Sequence, residues 1–119
     1  MVVESKYEKF DVFIGHRKSR SIAQPLRVGN VKYDEEKSLY ILRLAHLPMS
    51  YFIQKNRENE EQFTVFARIV NHDKSFKLTD PIGKASLLSE LKDYMEISIP
   101  MLPRKIYMSL FPTNHNQSA

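Results

Sequence analysis

The sequence predicts an α+β, β-rich domain: a curved antiparallel sheet of six or seven strands, or a partly open barrel, with one helix near residues 84–95. Three observations support this fold class. Apolar and polar residues alternate over residues 7–15 and again over 63–70, which is the period of a half-buried strand. Residues 25–48 contain two apolar runs on either side of a short charged turn. Over residues 84–95 the apolar period changes to that of a helix.

The hairpin over residues 25–48 is the centre of the predicted sheet. Its turn is the charged segment DEEKS at 34–38, and its second strand covers residues 39–46. That strand is apolar at nearly every position and carries one charge, Arg43. A run of this length between a turn and Pro48 is typical of a central strand that is covered on both faces.

The first predicted strand, residues 7–15, is followed by the most basic segment of the chain. Alternation places Phe10, Val12 and Ile14 on one face of the strand. Residues 16–24 then form a predicted loop that begins with the run HRKSRS. Long loops on rigid strands often carry binding residues, so this loop is a candidate site, although it could equally be a solvated connection.

The middle of the chain alternates between strands and polar connections. Residues 48–53 are compatible with either one helical turn or a crossing strand, and 54–62 form an exposed polar loop. Residues 63–70 and 75–79 are predicted to pair as a hairpin. The Asp-Pro dipeptide at 80–81 is predicted to end its second strand.

The predicted helix, residues 84–95, lies across one face of the sheet. One stripe of this helix holds apolar residues: Ala85, Leu88, Leu91 and Met95. Strand periodicity resumes at residues 96–99 and again at 105–111. Prolines close to these last two strands indicate the edge of a sheet, because proline cannot donate to the hydrogen-bond ladder.

Length and composition limit the class of protein. The 119 residues are enough for one domain, predicted to cover 1–112, with a disordered tail at 113–119. The absence of cysteine excludes disulfides and thiolate metal sites. The N-terminus is charged within four residues and lacks the apolar run of a signal peptide, and no window is apolar enough to span a membrane. We therefore expect a soluble, cytoplasmic protein.

The net charge of +4 is concentrated in the first part of the chain. Residues 1–33 carry seven basic and three acidic side chains, whereas the remaining 86 residues carry 11 of each. Such asymmetry is typical of a protein with a polyanionic partner, and it also favours solubility.

Sequence motifs do not indicate catalysis, a metal or a cofactor. The four histidines, at 16, 46, 72 and 115, lie in different segments and lack a second ligand at a helical or hairpin spacing. The three glycines are too few for a phosphate-binding loop or a dinucleotide fingerprint. We therefore expect a non-enzymatic protein without catalytic residues, metal ligands or cofactors.

Nucleic-acid binding is the leading functional hypothesis. Phosphates are bound by lysine and arginine, and unstacked bases are bound by flat rings, so a suitable surface combines both. The predicted contacts lie in the basic loop and on the adjacent strands. They are Arg17, Lys18, Arg20, Arg27, Lys32, Phe13 and Tyr33. In the alternative interpretation, the rings belong to the core of the sheet.

The rival hypothesis is a protein-interaction module or the homodimeric subunit of a larger assembly. Phe13, Phe66 and Tyr107 make the outer faces of the predicted strands partly apolar. A single helix can cover only one side of a sheet, so barrel closure or a partner subunit would have to cover the other side.

A local pattern in the central hairpin resembles one family. Arg27-Val28-Gly29 is followed eighteen residues later by Leu47-Pro48, at the end of an apolar strand. This arrangement, over residues 26–49, resembles a motif in small uncharacterised proteins encoded on bacterial plasmids and integrated mobile elements. The turn departs from that pattern, since this chain has Asp-Glu-Glu-Lys at 34–37 where those proteins tend to carry Lys-Asp-Gly. The resemblance implies a mobile-DNA context and a nucleic acid or a DNA-processing partner.

Overall fold

The computed structural model describes residues 7–18, 20–45, 47–73, 75–88 and 91–112. Within these ranges the chain forms eight strands and no helix. The strands are β1 (Tyr7–Lys18), β2 (Ser21–Asp34), β3 (Leu39–Leu44), β4 (Ser50–Lys55), β5 (Gln62–His72), β6 (Ser75–Leu87), β7 (Tyr94–Ser98) and β8 (Ile106–Ser109).

The strands form a closed up-and-down barrel. Each strand pairs antiparallel with the next one along the chain. The last strand pairs with the first, Val12 opposite Met108 and Phe13 opposite Tyr107. Because these eight strands close into a barrel, the prediction of an open sheet or a partly open barrel with six or seven strands is wrong.

Alternate residues of every strand fill the barrel interior. Val31, Leu42, Ile53, Val65 and Ile97 are fully buried, and they belong to one continuous cluster. An eight-stranded barrel has an interior that side chains can fill, and burial of these apolar groups is the main stabilising contribution. The neighbours of each buried residue point outward, so the barrel surface is built from the intervening positions.

The central hairpin forms as its sequence predicts. The Asp34 carboxylate accepts hydrogen bonds from the backbone N–H of Glu36 at 3.0 Å and of Lys37 at 3.4 Å. Ser38 adopts a φ of 52°, which the tight turn requires. This local chemistry pairs β2 with β3 in one register, with Val31 opposite Leu42.

The predicted helix over residues 84–95 is contradicted by the structure. Residues Lys84–Leu87 continue strand β6, and β7 begins at Tyr94. Ala85 pairs with Ile97 and Leu87 with Met95 across the two strands. The apolar residues have a helical period over the whole segment, but long-range pairing in the barrel makes its two ends strands.

The Asp-Pro dipeptide at 80–81 does not end its strand. β6 continues from Ser75 to Leu87, with Pro81 opposite Phe66 at an irregularity in the register. Asp80 adopts a φ of 59° just before the proline. A bulge of this kind accommodates proline, since the missing donor falls where the ladder is already interrupted.

The predicted basic loop at residues 16–24 is a hairpin instead. β1 runs to Lys18 and β2 starts at Ser21. The tip of this hairpin packs outside the barrel, where Ile22, Leu91 and Tyr107 form a second buried cluster. A side chain at Gly15 would collide with that of Ile22, so glycine allows the close approach.

The predicted single domain at 1–112 and the predicted disordered tail extend beyond the part of the chain that is described. The barrel accounts for the described ranges between residues 7 and 112. The tail at 113–119 lies outside the described residues.

Candidate functional site

A groove on the outer surface of β2 and β3 collects basic side chains. Arg27, Lys32 and Arg43 line it together with polar and small residues, and its volume is about 550 Å³. Of the described residues that line this groove, three are cationic and none is acidic. We call it the cationic groove.

The register of the central hairpin places these side chains outside the barrel. Asn30 lies opposite Arg43 and Lys32 opposite Ile41, while Val31 between them faces the interior. A side chain at Gly29 would collide with the backbone carbonyl of Arg43. Glycine at this position therefore lets β2 approach β3 closely at the groove.

Arg27 is neutralised locally by a carboxylate on β1. The Arg27 Nε donates to the Asp11 Oδ1 at 2.7 Å, and the Arg27 side chain is 49% exposed. This ion pair orients the Arg27 guanidinium. Because Asp11 neutralises its charge, Arg27 adds little to the net positive charge of the groove.

Arg43 increases the positive potential of the groove. Arg43 is exposed and forms no ion pair with any described residue. Lys9 on β1 lies directly opposite Lys32 on β2, and both are exposed. The register of β1 and β2 thus places a fourth cation, Lys9, on the strand next to the groove.

An apolar row crosses the barrel surface beside the cationic groove. Ile41 pairs with Phe52, and Phe52 pairs with Phe66. All three are half-buried, and none belongs to the described hydrophobic clusters. We call Ile41, Phe52 and Phe66 the aromatic row, because two of its three members are phenylalanines.

A second groove, of about 360 Å³, lies where β4 and β5 are connected. It is lined by Phe66 and by polar side chains that include Gln54, Lys55 and Arg57. Thr64 Oγ1 donates to Asn56 Oδ1 at 2.8 Å, which orders the connection. We call this the amide groove, since four of its described lining residues are Asn or Gln.

The predicted basic residues separate into two groups. Arg27 and Lys32 come together in the cationic groove. Arg17, Lys18 and Arg20 lie instead at the tip of the β1–β2 hairpin. There the Arg17 Nη1 donates to Glu96 Oε2 at 3.3 Å, and Glu96 also pairs with Lys105 at 3.4 Å.

The two predicted aromatic contacts are not in the cationic groove. Phe13 packs edge-on against Tyr94, with 6.2 Å between the ring centroids. Tyr33 packs against Tyr40, with 4.6 Å between the ring centroids, and against the barrel core. Burial, with smaller contributions from Tyr33 and Glu8, raises the pKa of Tyr40 above its usual value.

Sequence reasoning missed Arg43 and Phe52, and it placed Phe66 on an outer face only as part of the protein-interaction hypothesis. Arg43 was recognised as the one charge of an apolar strand, but that strand was expected to be covered on both faces. Counting back from the turn at residues 34–38 would have placed Arg43 opposite Asn30 and near Lys32. No local signal in the sequence places Phe52 beside Phe66. Their pairing depends on the register of β4 with β5, which residues 56–61 connect without a short turn motif that would fix it.

A small apolar cavity of about 150 Å³ lies elsewhere on the barrel, between β1–β3 and the connection from β7 to β8. Its lining includes Ile14, Val28 and Leu102. Three large apolar side chains near these segments in the sequence are mostly exposed. They are Leu26 at 61%, Met49 at 54% and Met101 at 67%.

The described ranges contain no group of three or more histidine, aspartate and glutamate side chains that could hold a metal ion. No helix in the same ranges is long and apolar enough to cross a membrane. Comparison of the chain with protein-family models, with curated proteins and with solved structures finds no match.

Proposed function

We propose that this protein binds nucleic acid, without catalysis, through the outer surface of β2–β5. One observation carries the proposal: Arg27, Lys32 and Arg43 line a groove without a described acidic residue, and the aromatic row lies directly beside it. Phosphates provide the anions that such a groove attracts, and bases provide flat partners for phenylalanine.

The small number of cations implies weak and strongly salt-dependent binding. Each phosphate neutralised by a lysine or arginine releases counterions and contributes ~0.7–0.9 to the slope of log K against log salt. The sequence analysis predicted phosphate contacts at the hairpin tip as well as on the strands. The contacts proposed here lie on β2 and β3 only.

The test compares two double variants that remove equal charge. Lys32→Gln with Arg43→Gln removes one lysine and one arginine from the cationic groove. Lys18→Gln with Arg20→Gln removes the same two residue types from the exposed hairpin tip. Oligonucleotide affinity is measured by fluorescence anisotropy at several salt concentrations.

We expect the groove variant to bind more weakly and to lose roughly 1.4–1.8 units of salt slope, as two lost phosphate contacts require. The tip variant should keep the wild-type slope. Absence of binding by the wild-type protein at ~50 mM salt would refute the proposal, because phosphate contacts are strong at low salt. Equal losses in the two variants would show that net charge, and not the groove, determines binding.

The apolar cavity favours a second candidate function, a protein–protein or homodimer contact. Leu26, Met49 and Met101, which are close in sequence to segments that line it, are mostly exposed, and exposed apolar side chains are typical of interaction sites. On this alternative, light scattering detects a dimer of the wild-type protein, and Leu26→Glu with Met101→Glu converts it to a monomer. A wild-type monomer at all concentrations would rule out the homodimer.

A further inference from the structure

The cationic groove and the amide groove are joined by the aromatic row. Ile41 lines the cationic groove, and Phe66 lines the amide groove. Phe52 lies between them, paired with Ile41 on one side and with Phe66 on the other. A ligand that follows this path meets cations first, then two rings, then a cluster of amide side chains.

We propose that the ligand is single-stranded nucleic acid, whose bases stack on Phe52 and Phe66 while its phosphates contact Lys32 and Arg43. This inference rests on the proposed function and specifies its substrate class. Base stacking on aromatic side chains is tolerant of sequence, because every base has a flat face. The strand therefore binds without strong sequence preference at the rings.

The spacing of the path suits a short segment of one strand. Side chains that lie opposite one another on neighbouring strands are about 5 Å apart, so the three steps from Lys32 to Phe66 span roughly 15 Å. A stacked strand advances ~3.4 Å per nucleotide, so this length accommodates roughly four nucleotides.

A duplex cannot use the two rings. Its bases are accessible only in the grooves, and reading them requires an element that protrudes, such as a helix or a two-stranded ribbon. Phe52 and Phe66 are half-buried in the barrel wall and do not protrude. The β5–β6 hairpin is a two-stranded ribbon, but its tip at His72 and Ser75 is separated along the strand from Phe66, which pairs with Phe52 in the barrel wall.

The amide groove extends the contact beyond the rings. Gln54 and Gln62 carry both donors and acceptors, as the Watson–Crick edge of an unpaired base requires. The same groove is lined by Lys55 and Arg57 and by the carboxylate of Glu58, so it binds phosphate less strongly than the cationic groove does. The path thus has cations at both ends, with the larger excess of positive charge in the cationic groove, and rings in the middle.

The test pairs changes in the protein with changes in the ligand. Phe66→Leu keeps an apolar side chain and removes the ring, and Phe76→Leu is the control because Phe76 is also half-buried but lies outside the path. The ligands are short oligo(dT), an abasic strand of equal length and a duplex of equal length. Thermal melting of both variants checks that the barrel is intact.

We expect wild-type protein to bind oligo(dT) roughly tenfold more tightly than either the abasic strand or the duplex, since stacking on one ring contributes about this factor. Phe66→Leu should lose roughly fivefold or more for oligo(dT) and nothing for the abasic strand. Phe76→Leu should behave as wild type with all three ligands.

Failure of this inference can be told apart from failure of the proposed function. If the abasic strand and oligo(dT) bind equally well and only Lys32 and Arg43 matter, the protein binds phosphate backbones and the stacking inference is wrong. Tighter binding of the duplex than of oligo(dT) would also overturn it. If no ligand binds wild-type protein even at low salt, the proposed function itself is wrong.

Discussion

The tip of the β1–β2 hairpin and the cationic groove are both rich in arginine and lysine, but their surroundings differ. At the tip, Arg17 pairs with Glu96 on β7, and Ile22 anchors the hairpin against Tyr107. In the groove, Arg43 has no such carboxylate among the described residues. The basic residues of the tip thus belong to a hairpin that packs on the barrel, whereas those of the groove form a candidate binding surface.

The difference arises from what lies beneath each cluster. The tip extends past the two residue pairs that join β1 to β8, and it curls over the outer face of β7 and β8. Its basic residues occupy the solvent side of a second hydrophobic cluster. The groove instead lies on the wall of the barrel itself, where the buried partners are Val31 and Leu42.

The largest expected effect tests whether the tip is a packed arm. Ile22→Ala should lower the free energy of unfolding by about 2 kcal/mol or more, because it removes a buried side chain from the second cluster. Leu42→Ala, in the fully buried barrel core, should cost ~2–5 kcal/mol and is the reference. Urea denaturation measures both values.

A cost for Ile22→Ala below about 0.5 kcal/mol is the value expected of a surface site. That result would mean that the tip does not pack on the barrel in solution. The tip and the groove would then both be exposed basic surfaces, as the sequence analysis predicted for residues 16–24.

A smaller effect is expected when the carboxylate at the tip is removed. Glu96→Gln breaks the ion pairs with Arg17 and Lys105 and should cost about 0.5–1 kcal/mol, since both cations are partly exposed. The cost should shrink in ~1 M salt, where the Debye length is about 3 Å. An unchanged cost at high salt would indicate that Glu96 acts through packing and not through charge.

The smallest effect is a dependence of stability on alkaline pH. Burial raises the pKa of Tyr107 above its usual value, Glu96 raises it further, and Lys105, Arg17 and Arg104 oppose the shift. The folded state therefore holds the phenol proton more tightly than the unfolded chain does. This contribution to stability is complete below about pH 10 and is lost as the pH rises through the folded pKa.

Tyr107→Phe keeps the ring in the second cluster and removes the titrating group. Its stability should decline less steeply than that of the wild type above about pH 10, as measured by urea denaturation at several alkaline pH values. Tyr40→Phe removes a second tyrosine whose pKa is raised, and it should independently make the decline of stability with rising pH less steep. Identical slopes for Tyr107→Phe and wild type would contradict the assigned burial of Tyr107.

Local signals in the sequence were sufficient to predict the central hairpin and the position of its turn. The Asp34 carboxylate satisfies two backbone donors within three residues, so the turn needs no help from the rest of the chain. The helix prediction failed for the opposite reason. Residues 84–95 have a helical period, but pairing of Ala85 with Ile97 and of Leu87 with Met95 in a closed sheet makes the two ends of this segment strands.

Part of the candidate site could also be predicted. Arg27 and Lys32 were identified from the charge of the first 33 residues, and both line the cationic groove. Their partner Arg43 lies on the next strand, where cross-strand register decides its position. Phe13 and Tyr33 were expected to accompany the cations, but they pack against Tyr94 and Tyr40.

The sequence by itself determined the β-rich character of this protein, its alternating strands and the turn of its central hairpin, because these depend on periodicity and on contacts within a few residues. Only the tertiary structure decided the rest. Closure joins Val12 to Met108, 96 positions apart along the chain, and this pairing gives every strand two neighbours. Which charges share a surface follows from those neighbours, since residues distant in sequence become adjacent only when the strands pair.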